Sequence, residues 1–225
     1  MICHSRFSNP QSALVIFAYL GLIAIFIGPP ARSMPDDKSK DEHLTRAEVE
    51  RLMAQWEKDA KDKMSKDPDL KKTSQKYPFV LLRSRQFGKA LFGGQYAHCA
   101  FSFARETADD AIHQNSVQII FDNGPGRNWF SLNSNTGCQN LLADLGKVDF
   151  TKDPDVKKID LDGDGLNSWD PKNCQAAEGH VYVEKVRDEE GNNFYAMFQI
   201  VTLDKDGRFV AFIWRRLPGG KVVKG

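Results

Sequence analysis

Three strand-like runs near the carboxy terminus constrain this chain more than anything else in it. They are His180-Val-Tyr-Val-Glu-Lys-Val186, Phe194-Tyr-Ala-Met-Phe-Gln-Ile-Val201 and Arg208-Phe-Val-Ala-Phe-Ile-Trp214. Each is rich in β-branched and aromatic residues. Two turn clusters, Asp188-Glu-Glu-Gly-Asn-Asn193 and Asp204-Lys-Asp-Gly207, separate them. Connections this short join antiparallel neighbours, so the runs predict a three-strand meander. Val181 and Val183 mark one face of the first run, and Phe209, Ala211 and Ile213 one face of the third. Packing across that face should supply much of the core.

Upstream the chain stays β-rich. Residues 79–82 and 89–92 are short apolar runs, and 95–104, 115–121 and 128–132 read as strands. The turn cluster Asp122-Asn-Gly-Pro-Gly126 makes the last two a hairpin. Residues 105–114 read as an acidic loop. Leu141, Leu142 and Leu145 share a helical face, predicting a short helix over 138–145 that Gly146 ends. Ahead of all this, Thr45-Arg-Ala-Glu48 is a capping box, and Val49, Leu52, Met53, Trp56, Ala60 and Met64 follow at helical spacing. The spacing predicts an amphipathic helix over 45–65, stopped by Asp67-Pro68 and docked on the sheet. A partner-binding or membrane-surface helix is the other use of such a stripe, and the mixed charge of its polar face argues against membrane contact. Residues 66–76 read as a solvated polar connector. The expected fold is therefore α+β: mostly antiparallel β with an N-terminal amphipathic helix and a C-terminal meander. Residues 34–76 hold the polar leader and helix, 77–220 a single β-rich domain, and 221–225 a tail.

Length and charge narrow the class. With 225 residues, 41% hydrophobic, the chain can bury a full core. A net charge of +1 offers none of the basic bias that nucleic-acid binding needs. Residues 13–28 are uncharged and apolar, with Arg6 before them and Pro29-Pro30-Ala31-Arg32-Ser33 after, the order of a secretory signal peptide cleaved after Ser33. The alternative is an uncleaved membrane anchor. Export, to the periplasm or outside the cell, permits disulfides. Of Cys99, Cys138 and Cys174, the first alternates with Phe101 and Phe103 and reads as a buried thiol. Cys138 and Cys174 sit in loop-like sequence and are the expected pair, worth about 3–4 kcal/mol in the chain-entropy model.

The one sharp chemical signal is Asp160-Leu-Asp-Gly-Asp-Gly-Leu-Asn-Ser-Trp-Asp170. Carboxylates at alternate positions, with a glycine allowing a sharp turn, suit a hard cation with six to eight oxygen ligands. Counting from Asp160, the donors are Asp160, Asp162, Asp164, the Leu166 carbonyl and Ser168, with Asp170 at position eleven. These eleven residues resemble the first half of an EF-hand loop, and equally the calcium loops of dockerin modules and thrombospondin type 3 repeats. The resemblance implies bound calcium. Position twelve, where an EF-hand places a bidentate acid, is Pro171, which implies a weaker or differently closed site. The competing reading is a surface turn in which Asp and Gly serve only the backbone.

Other chemistry lacks local support. No His-x-x-x-His or Cys-x-x-Cys spacing, nucleophile elbow or phosphate loop is present. His98, His113 and His180 are scattered, and Trp169 is the aromatic best placed for a carbohydrate or protein partner. The sequence points to an exported, calcium-stabilised domain with a non-catalytic binding or structural role. A small secreted metal-assisted hydrolase and a membrane-anchored accessory subunit are the alternatives. The loop predicts heat of binding at millimolar calcium and a lower melting temperature in chelator; absence of both would dismiss the site.

Overall fold

Which residues pair is decided by two aromatic-rich faces that can only be hidden against one another. The computed structural model describes residues 44–88, 91, 98–108, 118–124, 127–132, 140–159, 161 and 175–223. All fall in the unit Lys38–Gly225, whereas Met1–Asp37, including the expected signal segment, lies outside them. Among the described residues no helix is long and apolar enough to cross a membrane.

The architecture is mostly antiparallel β with two helices. Strands β1 (Phe79–Arg83), β6 (Leu141–Asp144), β7 (Val181–Arg187), β8 (Asn193–Leu203) and β9 (Phe209–Arg216) form a five-stranded sheet in the order β1-β9-β8-β7-β6. Strands β2 (Ala100–Ser102), β3 (Thr107–Ala108), β4 (Ile119–Gly124) and β5 (Arg127–Leu132) form a second sheet, β3-β2-β4-β5. The three carboxy-terminal runs are adjacent, β7-β8-β9, at the centre of the larger sheet. Their tight turn needs glycine at Gly207, where φ is +69° and an added Cβ would lie 1.9 Å from Asn128 Oδ1.

The core is divided differently from the sequence expectation. Val181, Val183 and Ile213 do share a face, but the larger core lies on the other one. There Tyr182, Phe198, Phe212 and Trp214 meet Phe101, Phe103, Phe121 and Phe130 of the second sheet. Both faces of the central strands are buried, so alternation identifies the faces without saying which packs on what. Helix α1 (Arg46–Lys66) covers the remaining face, with Trp56 against Phe209 (5.4 Å between rings) and Met64 against the Val181 cluster. Its capping box is formed: Thr45 N donates to the Glu48 carboxylate (2.6 Å) and Glu48 N to Thr45 Oγ1 (3.3 Å).

Four local expectations are corrected. Residues 68–74 of the connector form helix α2 (Pro68–Ser74), with its charged side chains still exposed, because Asp67 and Pro68 start a helix as readily as they stop one. Asp67 accepts from Asp69 N (2.9 Å) and Leu70 N (3.1 Å). The leucines at 141–142 lie in a strand rather than a helix, since β7 offers backbone partners to an apolar stretch too short to sustain its own turns. The strand expected over 95–104 is confined to β2 among the described residues, because His98 adopts φ +58° and Phe103 begins a turn. Asp122, Asn123 and Gly124 belong to the β4–β5 ladder rather than to a broad turn.

One residue violates the inner face. Glu184 is fully buried between Tyr182 and Val186, and no hydrogen-bond partner among the described residues meets either carboxylate oxygen. Burial pushes its pKa well above the usual 4.5. The unfolded chain therefore releases this proton near 4.5 while the folded chain retains it, so the residue costs stability as pH rises above that value and least below it. Glu184→Met keeps the length of the side chain without its polarity. The substitution is expected to stabilise the fold by about 1–3 kcal/mol near neutral pH. Thermal melts should show the gain shrinking as pH falls; a gain independent of pH would mean that Glu184 does not titrate between the two states.

Candidate functional site

The expected calcium ligands Asp160, Asp162, Asp164, Leu166, Ser168 and Asp170 lie outside the described residues, as do Cys138, Cys174, His113 and Trp169. Both shoulders of that loop are described, and both are pinned. On one side Ile159 packs against the cluster of Val181, Val183 and Ile213. On the other, Gln175 bridges to Trp129, Ala176 N donates to Asn128 O (2.8 Å), and the Tyr182 hydroxyl donates to Gln175 O (2.7 Å). Among the described residues no three His, Cys, Asp or Glu side chains converge as a metal requires.

The two described histidines serve separate places. His180 Nδ1 meets the Asp144 carboxylate at 2.9 and 3.1 Å, and Asp144 also accepts from Gly146 N (2.7 Å). A carboxylate that orients a histidine in this way prepares a general base. No described hydroxyl or thiol, however, is bonded to its Nε2. The pair ties the β6 end to the start of β7. His98 lies beside Cys99, a thiol that is completely buried and whose pKa burial pushes up to about 12. A thiol so protonated is no nucleophile at neutral pH.

A buried ionic cluster surrounds that position. Arg83 is fully buried, and its Nη1 donates to the carbonyls of Ser84 (2.9 Å), Arg85 (3.3 Å) and Phe87 (2.8 Å), folding the turn after β1 around itself. Arg85 Nη2 lies 2.5 Å from the carboxylate of Asp122, which is also buried. These charges are spent on holding β1 to β4.

A groove of about 630 Å3 runs along the outer edge of β1, between α1 and the β2–β3 hairpin. Its floor is apolar and buried: Val80, Phe101 and Trp214. One wall is a single face of α1, formed by Glu50, Met53, Ala54 and Glu57 at i, i+3, i+4 and i+7. The opposite wall is His98, Glu106 and Ala108. His98 (φ +58°) and Glu106 (φ +59°) are the only non-glycine residues at positive φ among those described. Each such residue costs about 1–3 kcal/mol, and strain of this kind gathers at functional surfaces. A larger groove, about 820 Å3, lies between α2 and the turn at 147–151. Three of its four acids are occupied in structure: Asp67 caps α2, Asp149 accepts from Thr151, and Glu178 pairs with Lys63 at 2.5 Å, while Asp69 sits in the first turn of α2.

Compared with known protein families, curated proteins and solved structures, the chain matches none. The site therefore rests on its own geometry. Sequence reasoning passed over the residues that line the β1 groove. A stripe at 50, 53, 54 and 57, which shares Met53 with the docked one, was the only signal, and it shows nothing until β1 and β3 are seen beside it. Cys99 gives a direct check on the packing around the groove. Native protein is expected to leave Cys99 unmodified by an alkylating reagent at neutral pH and to expose it on unfolding. Rapid native labelling of its tryptic peptide by mass spectrometry would contradict that.

Proposed function

We propose that this is an exported, non-catalytic domain that binds a protein partner through the groove between α1 and β1, with the 160–170 loop acting as a calcium-filled clip. The observation that carries the reading is the groove itself. It combines an apolar floor, carboxylates at the rim and the two strained residues of the described fold, the features of a surface maintained for contact. Export is supported by the uncharged run at residues 13–28 and the small residues after it. Calcium is supported by the spacing of the acids, and its role as a clip by the two shoulders held on β5 and on the Val181 cluster.

Ala54 allows the binding role to be tested without disturbing the core, because it is exposed on α1 and arginine is a good helix former. Peptides selected from a random displayed library on the wild-type protein are expected to lose binding to Ala54→Arg, whose side chain would fill the groove. Selected ligands that bind the variant as well as the wild type would place binding elsewhere and end this reading. Matching circular dichroism and melting curves serve as the folding control.

A further inference from the structure

We propose that the groove is a strand-addition site, in which an extended, basic segment of a partner protein pairs with the outer edge of β1 at Phe79 and Leu81. This rests on the binding reading above and gives that site its partner and geometry.

The backbone register makes the argument. Among the described residues β1 is the terminal strand of its sheet, with β9 on one side only. Pro78 O accepts from Trp214 N (3.1 Å) and Ser84 N donates to Arg208 O (2.6 Å). With the pairing of 79–83 against 213–209, this turns the backbone groups of even-numbered residues toward β9. Those of odd-numbered residues point the other way. At Arg83 the outward N–H donates to His98 O (2.8 Å), which closes that end. Phe79 and Leu81 remain, each presenting one N–H and one C=O, and no described backbone group meets them. Both residues line the groove. An antiparallel newcomer takes both groups of each such residue, so the site offers four backbone hydrogen bonds at the correct two-residue spacing.

Flanking side chains select the occupant. A strand seated here has α1 on one face and β2–β3 on the other, and its side chains alternate between them. Toward α1 it meets Glu50 and Glu57; toward the hairpin it meets Phe101, Ala108 and the Trp214 floor, with Glu106 at the rim. Among the described residues, three glutamates and no lysine or arginine line the groove. Their present partners, Arg46 (2.8 Å), Lys61 and Arg216 (3.4 Å), form exposed pairs. Pairs of that kind are weak, screened by water, and exchange for an incoming cation. Lys61, whose ammonium lies 5.6 Å from the centre of the Phe79 ring, guards the edge against indiscriminate pairing. The geometry thus calls for a peptide with basic residues on one face and apolar residues on the other.

Peptides selected on the wild-type protein would be resynthesised with single N-methylated amides and titrated by calorimetry. Binding should fall by about tenfold or more when alternate amides are methylated and change little at those between, since each lost donor is a lost backbone bond. The selected sequences should be rich in alternating Lys or Arg, and Glu50→Gln/Glu57→Gln/Glu106→Gln should weaken them about tenfold and flatten their salt dependence. Ligands that Ala54→Arg abolishes but that tolerate every N-methylation would leave the groove as a binding site and overturn strand addition. Ligands indifferent to Ala54→Arg would overturn both. Ligands unaffected by the triple variant would overturn the basic partner.

Discussion

Phe198 stands where the two sheets meet, and the rest of the domain depends on how its ring is surrounded. Phe103 stacks on it at 5.7 Å and Tyr182 at 5.1 Å, while Phe130 and Phe212 approach at 5.3 and 5.2 Å. These partners come from β7 and β9 of the larger sheet and from β5 and the turn after β2 on the side of the smaller one, so one side chain fixes the spacing of the layers. Aromatic pairs in such geometry add about 0.5–1.5 kcal/mol each beyond the area they bury. Tyr182 extends the effect outward. Its ring packs on Phe198 while its hydroxyl bonds Gln175 O and Ala177 N, so the segment leaving the acidic loop is fastened to the same aromatic centre.

Burial of both faces of the larger sheet follows from this arrangement and explains what the polar residues can do. A central strand with two covered faces has no solvent side on which to place an acid, which leaves Glu184 without a partner among the described residues. Arginines lower that cost by folding backbone carbonyls around part of the guanidinium. Arg83 does so within the turn after β1, and Arg215 bonds Phe150 O (3.1 Å) and Lys152 O (2.9 Å), with its guanidinium 5.5 Å from the centre of the Phe150 ring. The planar fork of donors suits this role better than an ammonium would.

What could be read from the sequence was whatever a segment specifies by itself. The β7–β8–β9 runs and the Thr45 capping box are local patterns, and they appear where their residues place them. Readings failed where a partner decides the structure. Leu141–Asp144 takes its conformation from β7, and Thr107–Ala108 is a strand only because Phe101 and Ser102 lie opposite. Asp67-Pro68 carried the same letters for a stop and a start, and only the chain beyond it distinguishes them. The acidic loop was the most legible chemistry in the sequence, yet its six donors fall outside the described residues, so the fold speaks only to its shoulders. The groove was illegible because α1, β1, β2, β3 and β9 each contribute a fragment with no signature of its own.

His98 links that groove to the strain beside it. In the left-handed region its carbonyl turns toward Arg83 and accepts that residue's outward N–H. The interaction removes one odd-numbered position from the open edge of β1, just as Tyr77, whose N–H donates to Thr73 O (3.1 Å), bounds the other end. A longer exposed edge would invite self-association, and a fully paired one would leave nothing to recognise. The strained histidine therefore sets the length of the open edge at two residues, and the conformational cost at His98 is part of the same device that leaves Phe79 and Leu81 exposed to the groove.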